Sequence, residues 1–398
     1  MNKVELLSPA GDLERLKIAI LYGANAVFCG GKQFSLRAKA NNFSLQDLKE
    51  AVIFANLHNA KVHVTVNIVP EDKDMATLDE YLLSLDSVGV HAIIVSSIYI
   101  MKRAKELNCK FEVHVSTQQS IANLKAIEFF KKKANVDRVV LARELNIDEI
   151  THVKENSNVP IEAFIHGGMC SSYSGRCTLS NAMANRDANK GGCAHSCRWT
   201  YHLYDNNNPI GESNFIIASC DLMSIEYIES LLKANVDSFK IEGRMKSVHY
   251  IATVVNAYRR IIDDYYENKV LDSKLINYYK KEIKKAENRI TYTGFLNKNM
   301  KNEALLLNTG VENPTQSFIA LVIKEKDNNG YTTIEVRNHF ENNCKAEAFS
   351  PNGKTINITM KNMIDLDGNE VLVARHPKQV LKIKLKEDLK VNTFIRKR

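Results

Sequence analysis

Three observations predict an α/β chain: a (β/α)8 TIM-like barrel with a long cysteine-rich insertion after its seventh strand, followed by a small C-terminal all-β domain. First, four segments share one pattern: GANAVFCGG from Gly23, GVHAIIVSS from Gly89, NVDRVVLAR from Asn135 and NVDSFKIEG from Asn235. Second, four more strand-like runs interleave with them, separated by stretches of helical period. Third, from Ser317 onward the alternation stops and only short strands with turn signals remain.

The elements follow in order. VELLSPAG opens the chain and LERLKIAILY reads as the first helix, leading into GANAVFCGG. LQDLKEAVIFANLH, KVHVTVNIV and LDEYLLSL come next, then GVHAIIVSS, KFEVHVST and IANLKAIEFFKKK. NVDRVVLAR, PIEAFIHGG and NVDSFKIEG complete eight strands over roughly 250 residues, the count of a closed barrel. An open doubly wound sheet would give the same local pattern, but it favours a glycine-rich turn after strand one. SPAGD has a single glycine. The predicted boundaries are 1–268 for the barrel, with the cysteine-rich loop at 167–219, then 269–316 for a helical connector and 317–398 for a β-barrel or sandwich.

Composition constrains the setting. The chain has 398 residues, 44% hydrophobic and 25% charged, enough apolar content for a sizeable core. No apolar run reaches the length of a membrane span, and the acidic, uncleavable-looking N-terminus predicts a cytoplasmic protein with no membrane partner. Net charge is +8, with nine Lys and Arg between Arg375 and Arg398, which reads as a solvated face or a contact for a polyanion.

Four of the eight cysteines, Cys170, Cys177, Cys193 and Cys197, fall within HGGMCSSYSGRC and GGCAHSCRW. The intervals are six, fifteen and three residues. Reduced cytoplasmic thiols at this density point to a metal, and the spacing leaves zinc and iron–sulfur both open. Cys220 is an alternative ligand. Cys29, Cys109 and Cys344 read as packing thiols. The CxxxCxxC triad of radical enzymes is absent, as are HExxH and GxSxG.

The stretch EAFIHGGMCSSYSGRCTLSNAMANRDANKGGCAHSCRWTYHL resembles the signature of the collagenase-like peptidase family. DSFKIEGRMKS and LLSPAGDLERLKIAILYGANAVFCGG resemble two further blocks of that family. The resemblance is greatest to its oxygen-independent tRNA hydroxylation branch, which forms 5-hydroxyuridine at the wobble position. It implies a 4Fe-4S cluster on Cys170, Cys177, Cys193 and Cys197, prephenate as hydroxyl donor, tRNA as partner, and a second family member as a candidate partner.

Under that reading the barrel mouth must hold a two-carboxylate donor and an extruded pyrimidine. Arg37, Arg143, Arg244 and Lys246 are candidates for carboxylate or phosphate contacts. His114 and His166 are candidate proton carriers, with Glu162 on the same face of strand seven as His166. Tyr173, Trp199 and Tyr201 are candidates for base stacking. The competing readings are a collagenase-like peptidase and a non-catalytic RNA-binding scaffold with a structural metal.

Overall fold

The computed structural model describes residues 3–36, 42–211, 214–286, 289–298, 304, 317–351, 353 and 355–398. Eight parallel strands close into a barrel: β1 (Glu5–Pro9), β2 (Ala26–Gly30), β3 (Lys61–Val66), β4 (Ala92–Val95), β5 (Glu112–Val115), β6 (Arg138–Val140), β7 (Ile161–Gly167) and β8 (Ser238–Ile241). Closure comes from β8, which pairs with β1 (Leu6 opposite Phe239) and with β7 (Phe239 opposite Ala163). The shared pattern of the four repeated segments has a local cause. Each opens on a left-handed residue, Gly23, Gly89, Asn135 or Asn235, that ends the preceding helix and turns the chain into a strand.

Helices α1 (Leu13–Leu21), α2 (Leu45–Leu57), α3 (Leu78–Val88), α4 (Ile98–Glu106), α5 (Leu124–Ala134) and α6 (Ile147–Asn156) cover the first seven strands, and α7 (Ile228–Lys233) precedes β8. The long α8 (Val248–Asn268) follows β8 and buries fourteen residues. The main core lies between strands and helices, where the outward-facing Leu6, Val27, Val64, Ile93 and Phe239 meet helix residues such as Leu16, Leu82 and Ile251. The short strand Asp221–Met223 is an addition: it ends the insertion by pairing antiparallel with the tip of β7, Leu222 opposite Gly167. Among the described residues, no helix is long and apolar enough to cross a membrane.

After α9 (Ser273–Lys284), the C-terminal domain forms a six-stranded antiparallel sheet from β9 (Phe318–Lys324), β10 (Tyr331–Val336), β11 (Lys345–Phe349), β12 (Ile356–Thr359), β13 (Val380–Lys384) and β14 (Phe394–Lys397), in the order β12-β11-β14-β9-β10-β13. It shares an aromatic seam with the barrel layer, where Tyr22, His249, Phe318, Phe349 and Phe394 pack ring on ring. The run EVLVARH contributes only the two-residue strand Val373–Ala374, and β14 lies at the centre of the sheet, paired with β9 and β11. Its Arg396 corrects the view of the basic C-terminus as one solvated face. The residue is 1% exposed and pairs with Glu282 and Glu347.

Candidate active site at the barrel mouth

Side chains alternate in and out along each strand, so Ser238 and Lys240 share a face, as do Glu162 and Phe164. The alternation does not extend to His166, because a register shift sets it opposite Ile241, with its ring against Tyr250 and Tyr258 of α8. The barrel lumen is therefore polar for much of its length, with a small apolar cluster of Leu7, Ala26, Phe28 and Ile94. Glu162 stands between two cations: Lys240 Nζ is 2.7 Å from Oε1 and Arg138 Nη1 3.3 Å from Oε2. Arg138 also bonds Glu5, which accepts from Ser238 Oγ at 2.8 Å. Burial would push the Glu162 carboxyl up, but the Lys240 and Arg138 charges outweigh it and hold it below the usual range.

Register places this network in the N-terminal half of the barrel, since Glu5 and Glu162 both stand beside Ser238. His114 is level with Arg138, fully buried, with Nε2 2.8 Å from Glu112 Oε2. Burial holds the His114 imidazole below its usual range, against the pull of Glu112. The three acid–base candidates are thus divided. His114 and Glu162 belong to the lumen network, whereas His166 sits at the C-terminal end of β7, opposite Met223, with Nδ1 3.4 Å from Tyr258 Oη.

At the mouth the cationic candidates gather. Arg244, 6% exposed, reaches Ser35 Oγ and Thr65 Oγ1, each at 3.1 Å. Its seat is built by glycine. A Cβ on Gly30 would lie 2.2 Å from Arg244 Nη1, and one on Gly11 2.3 Å from its carbonyl oxygen. Arg143 lays its guanidinium 3.9 Å from the centroid of Phe164 and, among the described residues, enters no ion pair. Lys246 lies nearby, its Nζ 5.4 Å from the Tyr250 ring. Arg37 is outside the described residues.

The cysteine-rich insertion folds back over this mouth. Ser174 Oγ donates to Glu144 at 2.9 Å and accepts from Arg143 N at 3.3 Å. Gly175, at φ 72°, packs so tightly on the end of β5 that a Cβ would fall 2.1 Å from the Gln118 carbonyl oxygen. Val69 N donates to Asn189 O at 3.1 Å, and the Asn189 side chain holds the Cys177 carbonyl at 3.5 Å. All four cysteines of the loop are free thiols, two exposed and two half-buried. Burial pushes the Cys197 thiol up, Arg198 opposes this, and Cys170 and Cys193 raise it further, so three of the four share one electrostatic neighbourhood. Among the described residues, no three His, Cys, Asp or Glu side chains already converge in ligating geometry. The donor set still fits a thiolate-held group in kind: four unpaired thiols on one loop, with Arg198 beside them. Cys220 instead packs with Ile216, Ala218 and Tyr292. Tyr173 and Trp199 are exposed, while Tyr201 packs on Phe215.

Residues 11–305 match the model of peptidase family U32, and residues 314–396 match that of the peptidase family U32 C-terminal domain. The chain belongs to peptidase family U32. Among U32 relatives, tRNA hydroxylation protein P1 of Bacillus subtilis is 42% identical over 406 residues, covering 100% of this chain and 95% of its own length. A collagenase of Porphyromonas gingivalis is 34% identical over 74% of each chain. The 23S rRNA 5-hydroxycytidine C2501 synthase of Escherichia coli is 37% identical over 66% of this chain and 40% of its own.

The structure of this U32 chain adds residues to the candidate site that the sequence reading gave no role. Asp221 is 1% exposed and pairs with Arg289 at 3.0 Å; burial pushes its carboxyl up, against Arg289 and Lys246. Glu242 Oε2 accepts from Gly168 N at 3.2 Å, and the Glu242 carbonyl leaves no room for a Cβ on Gly167 (2.4 Å, φ 104°). HGG and IEGR are therefore two halves of one contact between the tips of β7 and β8. The alternation in SFKIEG could have revealed Lys240 as luminal; nothing local could have paired Asp221 with Arg289.

Proposed function

We propose that this chain is an RNA-modifying enzyme that hydroxylates tRNA without oxygen, forming 5-hydroxyuridine at the wobble position. The observation that carries the reading is its end-to-end similarity to tRNA hydroxylation protein P1, in a barrel whose mouth presents Arg143, a luminal guanidinium without an ion-pair partner among the described residues. Cys170, Cys177, Cys193 and Cys197 would hold a 4Fe-4S cluster, which supplies redox capacity at the mouth when bound. Prephenate is the proposed hydroxyl donor. Arg143 and Lys246 would receive its carboxylates, with Arg244 fixing the rim between them. His166, opposite Met223 at the end of the insertion, would hold a proton for the exchange. The Glu5–Arg138–Glu162–Lys240 network and His114 would keep the lumen shaped and dry below the reacting atoms.

The described geometry at Ser174 does not favour hydrolysis of peptides. The Ser174 hydroxyl is bonded to Glu144 rather than to a histidine. The test is mass spectrometry of tRNA nucleosides from a strain lacking the gene, with and without the restored chain, together with iron and sulfide content of protein purified without oxygen. Restored 5-hydroxyuridine and about four irons per chain, both lost in Cys193→Ala, support the reading. Wild-type protein that restores no modified nucleoside overturns it.

A further inference from the structure

An open cavity of about 580 Å3 lies outside the residues already assigned a role. Its walls come from the segments that follow β3, β4 and β5: Val69, Pro70 and Met75 on one side, Ser97 and Tyr99 on the other, and Gln119 at the end. These are C-terminal strand ends, so the cavity opens on the functional rim of the barrel. Its volume falls in the roughly 300–1,000 Å3 range of sites that enclose small organic groups.

The lining combines apolar and neutral polar groups with one carboxylate, Asp72. Tyr99 is 54% exposed and Val69 53%, an aromatic face and an aliphatic one left uncovered. Between them are polar groups with capacity to spare. Gln119 spends its amide N–H on the Ser96 carbonyl, and its amide oxygen has no partner among the described residues. The Ser97 hydroxyl accepts from Ile100 N at 3.5 Å as the cap of α4, which leaves its own O–H to donate. An acceptor and a donor beside a stacking ring match the edge of uracil, whose N3–H donates and whose carbonyl oxygens accept. The location is equally specific. The Val69 wall is bonded to Asn189 of the cysteine-rich insertion, and Asn189 holds the Cys177 carbonyl.

We propose that this cavity receives an unstacked pyrimidine base of the RNA, stacked on Tyr99 and flanked by Val69 and Met75, beside the cysteine-rich loop. The assignment rests on the RNA-modifying reading and names the base subsite within it. A base that leaves its stack needs a replacement π-partner, and an exposed tyrosine ring offers one at little ordering cost.

The experiment uses the full chain and a tRNA anticodon stem-loop carrying 4-thiouridine at the wobble position. Crosslinking by ultraviolet light, followed by peptide mapping, is expected to label peptides containing Val69–Met75 or Ile98–Tyr99. Tyr99→Ala is expected to weaken binding by roughly 5- to 150-fold, the loss of one stacked base, while Tyr99→Phe keeps wild-type binding. Crosslinks confined to other peptides, or equal binding by Tyr99→Ala, overturn the assignment. Nucleoside analysis separates the two ideas. Labelling at these peptides with no 5-hydroxyuridine formed by wild type leaves the subsite standing and removes the proposed reaction. Full 5-hydroxyuridine from Tyr99→Ala keeps the reaction and removes the subsite.

Discussion

Replacing Lys240 by methionine tests whether the lumen network is the frame of the mouth. Methionine keeps most of the unbranched stem that lies against Phe28, whose ring centroid is 4.5 Å from Nζ, and deletes only the charge. Glu162, fully buried, would then retain Arg138 at 3.3 Å, itself shared with Glu5. Removing one partner of a buried pair costs about 3–5 kcal/mol, because the remaining charge stays desolvated. Arg138 softens the loss, so about 3 kcal/mol at neutral pH is expected, a change of roughly 150-fold in the unfolding equilibrium. The pH dependence has a definite sign. In the wild-type fold the Glu162 carboxyl lies below its usual range, so its contribution is present above the unfolded value of about 4.3 and is lost as pH falls through the folded one. In Lys240→Met the folded carboxyl moves up, and the deficit should be largest near neutrality and shrink as pH falls toward 4 and below. Urea unfolding at several pH values measures this, with Glu162→Gln and the double variant completing a cycle. A deficit under about 1 kcal/mol at pH 7, or one that grows on acidification, would refute the reasoning.

The barrel was legible in the sequence because its information is local. Eight apolar runs, helical periods between them and a left-handed Gly or Asn before every second strand need no long-range knowledge. The cysteine-rich insertion was legible for the same reason, as a contiguous run. What stayed hidden depends on closure. Glu162 and His166 have same-face spacing in the sequence, yet a register shift against β8 leaves Glu162 in the ion network and sets His166 opposite Ile241, against Tyr250 and Tyr258. Arg244 and Gly30 lie 214 positions apart and meet only because β8 and β2 flank β1. Arg396 looked like one more cation in a basic tail. Its burial follows from β14 inserting between β9 and β11, against Glu282 of α9. The cavity beside Tyr99 was invisible for a related reason: it is bounded by three loops that no single motif spans.

Two further substitutions probe the mouth and the domain seam. Tyr22→Phe removes a hydroxyl whose single hydrogen is shared between Phe349 O at 2.9 Å and Asn392 O at 2.8 Å, leaving the buried Phe349 carbonyl short of that donor; a loss of about 1–3 kcal/mol is expected in thermal unfolding. Gly30→Ala addresses the seat of Arg244. Its φ is not in the left-handed region, so backbone strain plays no part, and only the new methyl group acts. That methyl group would sit 2.2 Å from Arg244 Nη1, 2.5 Å from Ser35 Oγ and 2.9 Å from Asn42 Oδ1, so the guanidinium must leave Ser35 and Thr65. Overpacking of this kind costs about 1–3 kcal/mol, and the displaced arginine should lower 5-hydroxyuridine formation far more than a uniform loss of stability would. Gly30→Ala with Arg244→Ala removes the contact with the guanidinium but not those with Ser35 and Asn42, so it should recover part of the stability and leave activity low. Recovery of both would show that Arg244 only fills volume, and would remove it from the mouth's chemistry.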